Sequence, residues 1–235
     1  MTTHSNEAHG GALSQRLNAL RAGVLGANDG ILSTAGVVLG VAGATTDQTQ
    51  VLLAGIAALV AGAVSMSLGE YVSVSSQRDS EKALVVKESR ELATMPQEEL
   101  AELVQLYEAR GLSNETATVV ANELTAKDAL RAHLDIELGI DPDNYVSPTV
   151  AAFWSAAAFV AGGLLPVLAV VLTTAALRVP ITYTAVLIAL GLTGALGARL
   201  GGAPPGRAAL RVVVGGAVGL LVTYGIGSLV GATLG

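Results

Sequence analysis

Residues Leu20 to Ala44 form an apolar, glycine-rich stretch that reads LRAGVLGANDGILSTAGVVLGVAGA. Because about 20 apolar residues span the hydrocarbon core of a bilayer as a helix, this stretch predicts a transmembrane helix. Beyond Arg21 at its start, its single charge is Asp29. A carboxylate at the centre of a bilayer costs at least about 2.5–3.5 kcal/mol, and such residues mark ion or proton paths.

The residues near Asp29 form a polar patch within this apolar helix. Asn28 lies beside it, Ser33 and Thr34 lie about one turn further on, and Gly30 leaves the helix surface open. This pattern favours a hydrated path. The alternative, a structural carboxylate that is hydrogen-bonded to a neighbouring helix, stays open at this point.

The composition of the whole chain is that of a membrane protein. Of its 235 residues, 51% are hydrophobic and 14% are charged, whereas soluble domains carry about 25% charged residues. The absence of cysteine excludes a disulfide framework and thiolate metal sites. With a net charge of −6, the chain has no strongly basic segment of the kind that binds nucleic acid, so we expect no nucleic-acid partner. EF-hand, HExxH, Walker and GxSxG motifs are missing, so we expect neither an enzyme nor an organic cofactor.

Five stretches are long and apolar enough to span a membrane, and continuous runs of this length exclude strands. We therefore predict an all-α integral membrane protein with five transmembrane helices and a three-helix cytoplasmic insert between spans 2 and 3. In domains, this gives a flexible cytoplasmic tail (1–19), spans 1–2 (20–76), a helical metal-binding insert (77–146) and spans 3–5 (147–235). The five stretches are Leu20–Ala44, Val51–Gly69, a run within Ser147–Leu177, Val179–Ala198 and Val212–Gly235.

The distribution of basic residues predicts the orientation. Twelve of the thirteen lysines and arginines fall on one face, and the other face holds only Arg178, in a predicted tight connection with Pro180. By the positive-inside rule, the N-terminus is cytoplasmic and the C-terminus is outside. Glycines four residues apart, such as Gly26 and Gly30, indicate close helix packing.

The insert, residues 77–146, holds fifteen acidic and seven basic residues. Gln77–Ala93 continues the second span as a helix, and Thr94 is predicted to cap a helix over Met95–Arg110 that ends at Gly111. Ser113 is predicted to cap a third helix that runs to about Leu138. The segment is too small for a large core, so we expect it to pack on itself and on a partner subunit.

Several side chains have the spacing and chemistry of metal ligands. Met66 and Glu70 lie four residues apart on one face of the second span, and a site with carboxylate and thioether donors suits Fe²⁺ better than Mg²⁺ or Ca²⁺. His133 and Glu137, also four residues apart, can reach one ion. The insert also holds two groups of carboxylates, each on one face of a predicted helix. The first group is Glu81, Glu88 and Glu91, and the second is Glu99 and Glu102. A solvated acidic surface, ordinary packing of Met66 and an interfacial Glu70 are the alternatives.

Three segments together resemble the vacuolar iron transporter family of Fe²⁺/Mn²⁺ transporters. They read VLGANDGILSTAGVVLGVAGA, AGAVSMSLGEYVSVSSQRDSE and HLDIELGID, and the resemblance covers about residues 20–235. It implies five spans, a homodimer, and movement of divalent metal out of the cytosol, with proton exchange in the plant and parasite members. A bacterial member, having no vacuole, would export metal across the plasma membrane.

The resemblance also implies roles for single residues. Asp29 and Met66 match the membrane path, and the glutamates of the metal-binding helices are matched by Glu88, Glu91, Glu99, Glu102 and Glu137. The chain departs from the plant pattern twice. Ala58 replaces a path glutamate, which bears on proton coupling, and His133 with Leu134 replaces a methionine pair, which shifts metal preference.

The sequence therefore favours a dimeric transporter that binds Fe²⁺ or Mn²⁺ as its cargo. The alternative is a membrane-anchored metal sensor or buffer that binds metal in the insert and transports nothing. Asp29 argues against that alternative, since an anchor gains nothing from a charge in lipid. An intramembrane hydrolase is excluded, because the spans hold no paired catalytic groups.

Overall fold

The computed structural model describes residues 10–234, and side chains from 22 to 233; within these ranges it is all-helical, without strands. Its helices, listed in chain order, are α1 (Gly10–Ala44), α2 (Gln48–Thr94), α3 (Pro96–Ala109), α4 (Asn114–His133), α5 (Pro148–Leu172), α6 (Ala175–Leu200) and α7 (Pro205–Leu234). One turn of π-helix, Leu134–Leu138, follows α4 directly. The chain divides into a span unit, which runs up to Val72 and resumes at Pro148, and an insert, Ser73–Ser147.

Five helices of the described chain are long and apolar enough to cross a membrane, which confirms the predicted fold class. These are α1 from Ala22, α2, α5, α6 and α7. The core of the span unit lies where α1, α6 and α7 meet, around Ile31, Leu39, Leu190 and Leu220. A helix pairs its backbone N–H and C=O groups internally, which is what lipid requires of a span.

Glycines bring α1 close to two parallel neighbours. A Cβ atom on Gly30 would lie 2.1 Å from the carbonyl oxygen of Phe159 in α5, and one on Gly227 in α7 would lie 1.8 Å from that of Gly40. Only glycine fits such contacts, so α1 is held against both α5 and α7 through its backbone. Gly215 and Gly219, by contrast, face no neighbour within 4 Å.

The predicted connection at Arg178 and Pro180 is wrong. The break between α5 and α6 lies at Thr173 and Thr174, and both Arg178 and Pro180 lie inside α6. Arg178 is only 2% exposed. Pro180 lies in the second turn of α6, where it removes one backbone N–H from the helical pattern.

The insert contains its own small core. Leu103 of α3, Ala121 of α4 and Ile136 of the π-helical turn are buried against one another. As predicted, Gly111 adopts a left-handed conformation after α3, and the Ser113 hydroxyl accepts a hydrogen bond from the N–H of Thr116 at the start of α4. The third helix ends through the π-helical turn at Gly139, which is also left-handed.

Two further local predictions are wrong. Thr94 is the last residue of α2 and donates its hydroxyl to the carbonyl of Arg90, so Met95 takes the N-cap position of α3 without a side-chain cap. Helix α1 begins at Gly10, inside the predicted tail of residues 1–19. Residues 1–9 of that tail lie outside the described part of the chain.

Candidate metal sites

A cavity of about 500 Å³, which we call the Asp29 cavity, lies in the span unit beside α1 and α2. Asp29, Met66 and Glu70 all line it, so the structure brings the three predicted ligands of the spans to one space. On α1, the lining residues recur every four positions and form one stripe. The remaining lining residues are Leu25, Ser33, Val37, Ala58, Gly62, Ser65, Gly69 and Phe159.

The chemistry of the Asp29 cavity is mixed. Two carboxylates and one thioether face it, which is a donor set for borderline divalent ions. Met66 also packs against the apolar cluster of Leu59, Phe159 and Val167, so its side chain serves packing as well. Ala58, which stands where the plant pattern has a glutamate, faces the same cavity.

A larger cavity of about 1080 Å³ runs along α1 and α7. Its lining is mainly small and aliphatic, with Ser33, Thr45, Gln50 and Thr223 as the polar members. It contains no ionisable side chain, so we assign it no part in metal binding.

The insert holds the second candidate site, which we call the His133 centre and which consists of Glu88, Glu99 and His133. One ligand atom from each residue lies within 4.8 Å of the others, and all three residues are buried. The Nδ1 atom of His133 lies 3.0 Å from Glu88 Oε1 and 3.8 Å from Glu99 Oε2. Glu137 Oε2 lies 3.9 Å from the same nitrogen, on a side chain that is 29% exposed.

Three polar atoms of the His133 centre lack hydrogen-bond partners, namely both ring nitrogens of His133 and Oε1 of Glu88. Although Glu88 Oε1 is close enough to His133 for an ion pair, it lies off the N–H direction, and both ring nitrogens and this oxygen stay unsatisfied. A buried polar group without a partner costs about 1–3 kcal/mol. A bound cation would satisfy the lone pair of His133 Nδ1 and that of Glu88 Oε1 together, since neutral imidazole and carboxylate are both metal ligands.

The charges of the His133 centre repel one another in the absence of metal. Burial, reinforced by the charges of Glu137 and Glu99, raises the pKa of Glu88 to about 7. Burial and the charge of Glu102 also raise the pKa of Glu99, and His133 opposes that rise. Carboxylates with raised pKa values in a shared site are typical of functional positions.

Local folding explains how the His133 centre forms. Ile136 is buried in the insert core, and the Arg110 guanidinium donates to its carbonyl over 2.8 Å, which ties the π-helical turn to the end of α3. Single π-helical turns are frequent at functional sites because they redirect side chains. His133 ends α4 and Glu137 lies in the turn, so the turn determines the approach of Glu137 to the histidine.

Comparison with known proteins identifies the family. Residues 20–228 match the VIT family. The chain belongs to the VIT family. It is 45% identical over 217 residues to a vacuolar iron transporter of Acanthamoeba castellanii, with 89% of this chain and 78% of that protein covered. It is 35% identical to vacuolar iron transporter homolog 4 of Arabidopsis thaliana, with 93% and 87% covered.

Membership of the VIT family establishes several coarser points. The protein is a multi-pass integral membrane protein of a transporter family, and iron transport by its relatives supports metal transport in general. The resemblance seen in the sequence is thereby confirmed.

Not all of the predicted ligands come together in this VIT family chain. Glu91 accepts a hydrogen bond from Lys87 at 2.8 Å, and Glu102 is exposed beside the His133 centre. Glu81 accepts one from Gln77 at 2.9 Å. Sequence reasoning did not foresee that Asn28 receives a hydrogen bond from Thr193, which ties α1 to α6 one residue before Asp29.

Proposed function

We propose that this VIT family protein exports Fe²⁺ or Mn²⁺ from the cytosol. The Asp29 cavity is the observation that carries the proposal, because two carboxylates and a thioether face one space of an otherwise apolar span unit. Carboxylates within membrane spans are expensive in lipid and mark ion paths. In this proposal Asp29, Met66 and Glu70 line the path.

The His133 centre, with Glu137 beside it, collects the ion in this proposal. Its unsatisfied nitrogen and oxygen atoms supply the ligands, and Glu91 and Glu102 add negative charge that attracts cations. Twelve of the thirteen basic residues argue for a cytoplasmic insert and N-terminus. The protein would then act in the plasma membrane and draw metal from the cytosol.

Proton exchange is a part of the proposal that Glu70 supports. Ala58 removes one carboxylate relative to the plant pattern, yet Glu70 faces the same cavity as Asp29. Two carboxylates in one cavity can exchange two protons for one divalent ion. The cavity therefore keeps the charge that antiport requires.

A homodimer would also account for an exposed feature of the span unit. Asp29 is exposed on the single chain, and Leu25 and Val37, which flank it on α1, are 55% and 41% exposed. A carboxylate on a lipid-facing surface is unfavourable. A second copy placed against this surface would enclose the cavity, and cross-linking through cysteines introduced at Leu25 would detect it.

The deciding experiment is metal flux in proteoliposomes, with and without a pH gradient. We expect Fe²⁺ or Mn²⁺ uptake that a proton gradient accelerates, and loss of that uptake in Asp29→Ala. A matched control is Asp47→Asn, since Asp47 only caps α2 and asparagine also caps helices. Metal binding without any flux would instead favour the sensor or buffer, whose whole centre lies within the insert.

A further inference from the structure

His133 is the single nitrogen donor among the carboxylates of its centre, and it is fully buried. The other histidines, His4 and His9, lie outside the described residues. A cluster of glutamates alone would attract any cation. The imidazole adds a donor type that divalent cations do not favour equally.

The ring nitrogens of His133 are available to bind a metal ion. Neither ring nitrogen has a hydrogen-bond partner among the described residues, and the 3.0 Å approach of Glu88 Oε1 is off the N–H direction. In an ordinary buried histidine, at least one ring nitrogen is engaged by a neighbour. Here the nitrogen Nδ1 and the carboxylates of Glu88 and Glu99 converge on one point instead.

We propose that His133 makes this centre select ions that favour nitrogen donors, so that it takes Zn²⁺ and Fe²⁺ in preference to Mn²⁺. The inference rests on the proposed role of the centre in collecting the transported ion. Imidazole suits zinc and iron, whereas sites of carboxylate and water suit manganese. The methionine of the plant pattern would not provide this preference by a nitrogen ligand.

The number of ligands suits an ion that must leave again. Three protein ligands with one open position are typical of zinc sites that exchange their fourth ligand. Glu137 lies 3.9 Å from the histidine on a partly exposed side chain, so it can close the fourth position and release it. Zn²⁺ is thus a second cargo, or a tight competitor, of this protein.

The test measures the dissociation constants of Zn²⁺, Mn²⁺ and anaerobic Fe²⁺ on the full-length protein in detergent, by competition with an indicator dye. In His133→Gln, we expect Zn²⁺ affinity to fall by about 10–100-fold and Mn²⁺ affinity by much less. The ratio of the two constants should therefore shrink at least about tenfold. His133→Leu, which replaces the imidazole with an apolar side chain that has no donor atom, should shrink it as well.

Two readouts separate a ligand from a merely structural histidine. The visible spectrum of bound Co²⁺ should lose intensity and shift in both variants, because a nitrogen ligand is lost. Glu123→Gln, which removes a charge from an exposed position of α4, should change neither the ratio nor the spectrum. A ratio and a Co²⁺ spectrum that stay as in the wild type in both His133 variants would overturn the inference.

The same samples separate this inference from the proposed transport. If Fe²⁺ flux is present but the Zn²⁺ to Mn²⁺ ratio does not depend on His133, the selectivity is wrong and transport stands. If the ratio depends on His133 but no metal crosses the bilayer, the centre is selective and the transport proposal is wrong.

Discussion

The Asp29 cavity and the His133 centre hold similar ligands in opposite environments. Asp29 is exposed within a cavity of about 500 Å³, whereas Glu88, Glu99 and His133 are buried and converge within 4.8 Å. A wide space with scattered donors lets an ion pass, while a tight one holds it. The difference suggests passage in the first region and capture in the second.

The largest effect is expected at Asp29, where a substitution should stop metal flux without changing metal binding by the insert. We predict that Asp29→Asn abolishes metal flux in proteoliposomes and leaves metal binding by the insert unchanged, because the amide removes the negative charge that replaces the water shell of the ion. Flux and equilibrium binding are measured on the same preparation. Flux within about twofold of the wild type would contradict a path through this cavity.

The opposite result is expected at Glu99, where a substitution should weaken metal binding strongly and reduce metal flux less. Glu99→Gln should weaken metal binding by about 10–100-fold, since it removes one of three converging ligands. Flux should fall at limiting metal and recover at saturating metal, because the cavity is intact. Glu108→Gln, on the same helix and outside the centre, is the control; unchanged binding in Glu99→Gln would remove Glu99 from the centre.

A third prediction concerns pH and the raised pKa of Glu88, which is about 7. Metal binding requires the carboxylate, so affinity should fall below pH 7, by up to about tenfold per pH unit for one proton. Titrations at pH 8, 7 and 6 measure this slope, and Glu88→Gln should flatten it. An equal slope in that variant would assign the proton to another group.

The same shift predicts the pH dependence of stability without metal. Because the pKa of Glu88 is higher in the folded insert than the ordinary value of 4.5, the folded state binds more protons between these values. The stabilisation that this one group contributes is fully present below about pH 4.5 and is lost as pH rises through about 7. Hydrogen exchange of insert amides, corrected for intrinsic rates, should show faster opening at pH 8 than at pH 5.

The smallest expected effect comes from Ala58→Glu. This change restores the carboxylate of the plant pattern to a side chain that already faces the cavity. We predict a several-fold change in flux that depends on the pH gradient, with insert affinity unaltered. Ala61→Glu, on an exposed position of the same helix, is the matched control. An identical response in both variants would show that charge on α2, and not the cavity, matters.

Sequence reasoning predicted the features that local chemistry controls. Gly111, Ser113 and Gly139 ended or began helices as expected, because their preferences depend on few neighbours. Arg178 was misplaced, since a charge beside a proline resembles a connection and its burial depends on three-dimensional packing. The predicted N-cap at Thr94 was wrong because its hydroxyl donates a hydrogen bond to the carbonyl of Arg90 in the preceding helix.

The sequence predicted which types of residue form the candidate sites, but less well which individual residues come together in each site. The spacing of His133 and Glu137 was informative, but it did not show that Glu91 pairs with Lys87 while Glu88 is buried. Those two glutamates lie three residues apart on α2, and only the packing of α3 and α4 distinguishes them. Likewise, Glu70 and Asp29 line the same cavity because of tertiary packing, which the spacing of residues in the sequence does not show.

Phe159 links the third span to the Asp29 cavity. Its ring is 1% exposed and lines the cavity, and a Cβ atom on Gly62 of α2 would lie 2.2 Å from it. Rotation of a ring packed this closely against Gly62 would require the contact between the ring and α2 to loosen. If passage of an ion requires that rotation, transport should have a high activation enthalpy and should slow steeply on cooling, while metal capture in the insert should depend only weakly on temperature.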